Sequence, residues 1–497
     1  MPASGTSPLT GSGVRRPGLA LAVLAMAQLI IALDIYIVFV ALPDIGAKLH
    51  FSNGSLQWVV SAYVVAFGGF LLLGGRACDL LGRRNMFLLA LGLYAVSSLV
   101  GGFAPNSGTL IAVRAVQGLG GALLFPATLS TINTIFAEGK ERNRALAAWG
   151  GAGASGLTLG SLLGGVLTNA FGWESVFFVN VVLAGAVGLV ALTAIPRDVH
   201  SSAQRNFDAL GAITASAGAT LFVYAVVEGP SAGWGSTRII VSLALALLLL
   251  ILFLAVESRS KAPLMPLRLF RNRSLVASMA ITAAFMGTFG ALPYFVTTLF
   301  QSVHGYSPLQ TGLAFLVPAV SIFAGTQISE RMIRRIPIRV TLLIGFVVGA
   351  IGTALMAMNS TAHSNYVSIV PGLIVMGVGQ GVAWTAMWIA AASGVLPQEQ
   401  GIASSMAATT QQFGNAIGLG VLTGIADSYV HSQHGNALRV ALGHGTQTAV
   451  YVAAAGLAVG ALVTLALPGR PAQAAASDDI TSPSLSADEV LPAGHGA

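Results

Sequence analysis

The chain has 497 residues, 55% of them hydrophobic and 8% charged. Soluble domains carry about 25% charged residues, so this chain has too little charge to cover a water-facing surface and reads as an all-α membrane protein. The net charge of +7 does not point to nucleic acid, because the basic residues fall in short loops, and a single cysteine, Cys78, excludes an internal disulfide and a cysteine-rich metal site.

A crossing helix needs about 20 mostly apolar residues. The first such run, 18–43, follows Arg15 and Arg16. It is longer than the apolar region of a cleaved leader, about 7–15 residues, and is expected to remain as a span. It contains Asp34, within IIALDIYIVFVALPD (30–44). The second run, 56–75, holds Trp58 and Tyr63 and leads through GRACDLLGRR (75–84) to the third, 85–104. The fourth, 108–136, holds Arg114 and Gln117; the fifth, 144–168, holds Gly156, Gly160, Gly164 and Gly165; the sixth covers 175–195. Two runs follow at 209–228, ending on Glu228, and 238–256. Then come 274–302 with Phe289, 309–329, 339–358, 367–394 with Trp384 and Trp388, 401–425 and 446–468.

Fourteen spans put both termini on one side. With the termini cytoplasmic, twenty of the 24 Lys and Arg fall in inner segments, three (Lys48, Arg238, Arg439) in outer ones, and Arg114 alone within a span. That is the asymmetry expected of cytoplasmic loops. The loop acid and arginine pair of 75–84 reappears as ERMIRR (330–335), and LPQEQGIASS (396–405) occupies the place of EGKERNRALA (138–147). Such a parallel internal repeat marks a transporter of two bundles. The expected division is a cytoplasmic tail over 1–17, a six-helix bundle over 18–200, an inserted two-helix hairpin over 201–260, a second six-helix bundle over 261–468, and a disordered tail over 469–497.

Asp34 is the one acid clearly inside a span, and ionisable groups there tend to face a bundle interior or a water-filled cavity and mark ion pathways. Burial raises a carboxyl pKa and a nearby cation lowers it, so a carboxyl moved between such surroundings gains and loses a proton. Asp34 thus reads as a proton carrier, or else as a structural partner of Arg114. Counted from the outer ends, the two lie about 15 Å and about 11 Å deep at 1.5 Å per residue, close enough to pair directly or through water; a snorkelling arginine is the alternative. In the inner loops Asp79, Gly82, Arg83 and Arg84, with Glu330, Arg334 and Arg335 as the weaker second copy, read as a gate or as a topology signal. The glycines of the fifth span allow close helix approach, read as sliding against the other bundle or as ordinary packing. Tyr36, Trp58, Tyr63, Gln117, Glu228, Phe289, Trp384 and Trp388 are weak cavity candidates, aromatic faces being able to hold lipophilic cations. The histidines show no metal-ligand pattern, and without a G-x-x-x-x-G-K-[ST] loop ATP drive is not supported.

As a set, these residues resemble the major facilitator superfamily and within it the fourteen-span drug:proton antiporters. GRACDLLGRR resembles the loop motif G-x-L-A-D-R-x-G-R-K, and LDIYIVFVALP the first-helix motif L-D-x-T-x-V-N-V-A-L-P. LIAVRAVQGLGGALLFP (110–126) resembles the fourth-helix motif, GLTLGSLLGG (156–165) the fifth-helix G-x-x-x-G-P-x-x-G-G with Ser161 in place of proline, and VVEGPSAGWG (226–235) the end of the first inserted helix. The resemblance implies two pseudo-symmetric six-helix bundles plus a hairpin and a bacterial inner-membrane location. It also implies proton-driven export of lipophilic, often cationic, drugs or antibiotics by alternating access. The expected partners are the small-molecule substrate, protons and lipid; a monomer without cofactor, metal, nucleic acid or enzymatic activity is expected. A same-fold transporter of a native metabolite and a non-transporting membrane receptor are the alternatives.

Overall fold

Within a hydrocarbon layer the backbone has only itself to hydrogen-bond, and a helix satisfies each N–H and C=O inside its own segment. In the computed structural model, which describes residues 16–51, 53–136, 140–198, 208–260, 267–392, 400–430 and 435–467, each of the predicted runs falls on a helix, and no strand occurs among the described residues. In chain order the helices are α1 (Pro17–Lys48), α2 (Trp58–Leu81), α3 (Arg83–Gly102), α4 (Ser107–Ile135), α5 (Lys140–Phe171), α6 (Ser175–Ala194), α7 (Ala209–Ala232) and α8 (Thr237–Glu257). There follow α9 (Arg273–Val303), α10 (Pro308–Ile333), α11 (Ile338–Met358), α12 (Tyr366–Ala392), α13 (Gln400–Asp427) and α14 (Gly435–Thr464). The tails expected over 1–17 and 469–497 lie almost entirely outside the described residues.

Eleven of these helices are long and apolar enough to cross a membrane by length and composition. The exceptions are α2, α7 and α13. The apolar stretches described within α2 and α7 are Trp58–Leu71 and Leu210–Val226. Helix α13 buries Gln411, Gln412, Asn415 and Thr423. It packs on α2, α7, α9 and α14, and a helix enclosed by protein needs little lipid-facing apolar surface.

Local signals fix several helix starts. The Asn106 side chain accepts from Thr109 N at 2.9 Å and caps α4. Ser307 and Gln310 form a reciprocal capping box in front of α10, with Pro308 at its first position. Helix α9 is interrupted at 289–291 and ends in a π-helical turn, Thr298–Val303.

The packing divides in two. Helices α1 to α6 are joined by the pairs α1–α5, α2–α4, α3–α4, α3–α6 and α1–α6; helices α9 to α14 by α11–α12, α10–α12, α9–α13, α11–α14 and α9–α14. The seam between them is made by α2 on α13 and α5 on α10, the second helix of each set meeting the fifth of the other. Helix α7 pairs with α8 and leans on both α2 and α13, across one of these seams. Named contacts across the seam are Gln57 with Thr423, Gly68 with Gln412 and Phe413, Gly165 with Pro308 and Gly312, and Gln301 Nε2 donating to Val40 O at 2.8 Å. They lie from mid-helix toward the end of the molecule where α1 ends and α2 and α10 begin.

Candidate functional site

Among the described residues, the first set of helices encloses an ion pair. Arg114 Nη1 of α4 lies 2.6 Å from Asp34 Oδ2 of α1, and the side chains are 1% and 0% exposed. At that burial a lone charge would be prohibitive, so the polar groups around it must be accounted for. Arg114 also donates from Nε to Val59 O at 2.8 Å and from Nη1 to Gln117 Oε1 at 2.8 Å, and its guanidinium lies 4.5 Å from the centre of the Tyr63 ring. Asp34 Oδ1 accepts from Gln117 Nε2 at 3.0 Å and from Asn180 Nδ2 of α6 at 2.7 Å. Gln117 Nε2 also donates to Ser98 Oγ of α3 at 2.8 Å, and the Tyr63 and Tyr94 hydroxyls meet at 3.0 Å. Each of these neighbours of the carboxylate is a donor, a set complementary to its ionised form.

Two rows of glycine bring the backbones close enough for this. On α4, a Cβ at Gly118 would strike the Tyr63 carbonyl and one at Gly121 would sit 2.6 Å from the Phe67 ring, so α2 approaches until Val59 O reaches Arg114. On α5, Gly156, Gly160 and Gly164 lie against residues 32–37 of α1, where a Cβ at Gly160 would come 2.8 Å from Leu33 O and one at Gly164 2.8 Å from Ile37 O. These glycines hold the segment that carries Asp34. Gly165, one residue and about 100° further round the helix, points the other way, at Pro308 O of α10, 2.7 Å from where its Cβ would be. The row expected to face the other bundle therefore meets it at one glycine; the other three serve contact within the bundle.

The predicted gate residues separate. Asp79 belongs to α2, but its side chain lies outside the described residues. Gly82 has φ +95°, which favours glycine, and it lets α3 start immediately after α2. Arg83 Nη1 donates to Thr134 Oγ1, and Arg84 Nη2 to Leu192 O at 2.6 Å. The N–H groups of Arg84 and Asn85 donate to the two oxygens of Asp198, each at 3.1 Å. Asp198 thus caps α3 from the segment after α6. Replacing Asp198 with Ala is expected to cost about 1 kcal/mol, seen as a lower thermal midpoint in detergent than for Asp198→Asn. Glu330, Arg334 and Arg335 are exposed, and among the described residues no side-chain hydrogen bond or ion pair joins them to one another.

The cavity candidates fall into three groups. Tyr63 and Gln117 belong to the ion-pair network, and Tyr36 sits two residues from Asp34 with its Cβ against Gly160. Trp58 donates to Glu228 Oε2 at 2.8 Å and lies 5.7 Å, ring to ring, from Tyr224; Glu228 Oε1 pairs with Arg238 at 2.5 Å. This cluster ties α7 and α8 to α2. In the second set of helices, Phe289, fully buried, packs with Phe285 and Phe346, and Phe285 leads at 5.6 Å to Trp384 and on at 6.0 Å to Trp388, both partly exposed.

The sequence pattern of the Major Facilitator Superfamily matches residues 24–419, most of the chain, from within α1 into α13. The chain belongs to the Major Facilitator Superfamily. Among its superfamily relatives, the cephamycin export protein CmcT of Amycolatopsis lactamdurans is 35% identical over 418 residues, 82% of this chain and 85% of that one. The puromycin resistance protein pur8 of Streptomyces alboniger is 35% identical over 458 residues, 90% and 89% of the two chains. The crystal structure of a D-xylose-proton symporter superposes with a TM-score of 0.64 at 15% identity, covering 91% of this chain and 98% of that one, a likeness of fold. The residues of this superfamily member that sequence reasoning passed over are Ser98, Tyr94, Asn180 and Asp198. The only signal for Asn180 was a weak one: it is the lone amide in the apolar run SVFFVNVVLAGAVGLV (175–190), as other amides are in other spans.

Proposed function

We propose that this chain is a proton-coupled antiporter that exports lipophilic, cationic drugs or antibiotics by alternating access. In this reading all fourteen helices cross the bacterial inner membrane with both termini cytoplasmic, and α7 with α8 forms a hairpin inserted between the two bundles. The end closed by the Gln57–Thr423 and Gly165–Gly312 contacts is the outer face. Asp34 is the proton carrier, Arg114 its counter-ion, and the loop at Asp79, Gly82, Arg83 and Arg84 the inner gate.

The observation that carries the reading is a carboxylate and a guanidinium sealed together in the first bundle, with donors on α4 and α6 completing the shell. Intramembrane charges of this kind mark ion routes. Proton exchange requires the other conformation, in which the bundles part on the outer side and the packing around α1 loosens. A proton arriving from outside neutralises Asp34 and weakens the hold on the cation, the cargo leaves, and the proton departs inward as the bundles rock back. Trp384 and Trp388, partly exposed on the second bundle, supply aromatic faces for a lipophilic cation. The exporting relatives support the direction of transport.

Everted vesicles holding an acid interior, loaded with a pH-quenched acridine dye and challenged with ethidium, test this. An antiporter moves ethidium inward and discharges the pH gradient, so acridine fluorescence recovers in vesicles with this chain and not in empty ones. Ethidium uptake that leaves the gradient untouched defeats the coupling.

A further inference from the structure

We propose that Asn180 lets Asp34 hold either charge state inside the sealed bundle: its amide donates to the carboxylate and inverts to accept from the acid. The inference rests on the reading in which Asp34 carries the proton. Among the described residues Asn180 hydrogen-bonds to Asp34 and to Val176 O, so it acts through Asp34 as a positioning residue.

Two amides meet Asp34 Oδ1, and only one is free to turn. Gln117 is locked at both ends, because Oε1 accepts from Arg114 at 2.8 Å while Nε2 donates to Asp34 and to Ser98. Turning it would set its amide N–H groups against the guanidinium. Asn180 donates through Nδ2 to Asp34 at 2.7 Å and to Val176 O at 3.3 Å, while its Oδ1 is buried with no hydrogen-bond partner. A buried acceptor without a donor calls for an explanation. Against an ionised Asp34 the amide must point its N–H at the acid, since two acceptors cannot share 2.7 Å. Against a protonated Asp34 the same distance suits O–H···O. Inversion trades the orphan acceptor for two unbonded amide N–H groups and sets Oδ1 beside Val176 O, a cost that the O–H···O bond offsets only when Asp34 is protonated.

The proton balance follows. Oδ2 is held by Arg114, so the incoming hydronium protonates Oδ1, an O–H bond forms, and water is left. Arg114 keeps its charge. The Asn180 N–H···O bond is replaced by O–H···O to Asn180 Oδ1, and the acid oxygen keeps a lone pair for Gln117. The ionisable groups facing Asp34 are Arg114 on α4, Tyr63 on α2 and Tyr94 on α3. Helix α6 carries none, those of α5 and α10 lie at helix ends, and Tyr294 of α9 interacts with Asp427.

Infrared difference titration of the purified full chain in nanodiscs reads this without any cargo. The carboxylic C=O band lost in Asp34→Asn reports protonation of that residue. In Asn180→Leu, which keeps the number and branching of heavy atoms but has neither donor nor acceptor, the band's midpoint is expected to move to higher pH by about one unit, tenfold in proton affinity, because the charge-assisted bond lost by the ionised form is stronger than the neutral one lost by the acid. Its frequency should rise because the acid O–H loses its acceptor. Asn180→Ala, which adds no bulk, should give the same shift, and Asn180→Gln, which retains an amide, should return the midpoint toward the parent's. A packing role would move neither midpoint nor frequency. Unchanged midpoint and frequency in the folded Leu and Ala variants overturn the proposal. A parent with no Asp34-dependent band at any pH defeats instead the reading that Asp34 titrates.

Discussion

Asp34→Asn is expected to abolish acceleration of dye efflux by a pH gradient while leaving gradient-independent exchange of dye across the membrane. Asparagine has the shape of a protonated aspartic acid and no charge. If Asp34 carries the proton, the variant is held in the protonated half of the cycle. It can bring dye to one side and return it, but it has nothing to release inward. The substitution also carries a stability cost. Removing one member of a buried ion pair leaves the other uncompensated, typically about 3–5 kcal/mol, and Arg114 is 1% exposed. Three neighbours limit the loss. Val59 O and Gln117 Oε1 still accept from Arg114, and the Tyr63 ring still lies under the guanidinium. The double variant Asp34→Asn with Arg114→Gln removes the uncompensated charge and controls for folding. Everted vesicles matched for protein content, with and without an acid interior, separate the outcomes. Parent vesicles should accumulate dye faster when acid inside, and both variants should show one rate under either condition. Gradient-driven uptake surviving in Asp34→Asn would mean that another group carries the proton.

The pair was legible in the sequence because ionisable residues are scarce within the spans and helix depth can be counted along the chain. Asp34 and Arg114, 80 residues apart, came out at similar depths, and their side chains meet directly. Their partners were not legible to the same degree. Asn180 is 146 residues from Asp34 and Ser98 is 19 from Gln117. Neutral amides and hydroxyls cost far less to bury than charges, so many spans hold one and none stands out. The α5 glycines announced close contact but not with which helix, since a four-residue spacing fixes a face and leaves its neighbour open. Asp198 caps α3 across 114 residues with no local signature. Residue type alone suggests a cavity role for Trp58, whereas its indole N–H is committed to Glu228 on α7. The apolar runs were legible as helices, eleven of which are long and apolar enough to cross a membrane among the described residues; α13 is not among them, and it packs on four other helices, which no single-helix count registers.

Gly312→Val should hold the bundles apart at the end where they now meet. Across the α5–α10 seam the contact is backbone on backbone: a Cβ at Gly312 would lie 2.6 Å from Ser161 O and 3.2 Å from Gly165 Cα, and one at Gly165 would lie 2.7 Å from Pro308 O. No side chain can rotate away to make room, so relief must come from separation of α5 and α10. Overpacking of this kind costs about 1–3 kcal/mol, sometimes more, and here the closed conformation bears it. The open one, in which the two helices have parted, is spared. A differential of that size shifts a two-state equilibrium by a factor of about 5–150. A valine within a bundle behaves differently. At Gly418 its Cβ would strike Gly287 O between α9 and α13, a contact inside one bundle that rocking does not release, so that variant should lose folded yield. With the native Cys78 replaced by Ser, a cysteine placed at Val40, beside Gln301 in the closed seam, reports the equilibrium. Gly312→Val is expected to raise its labelling by an impermeant maleimide in whole cells and to stop dye export, with folded yield near the parent's. Labelling unchanged while export fails would show that the seam does not open on this side and would remove the glycine contact from the transport cycle.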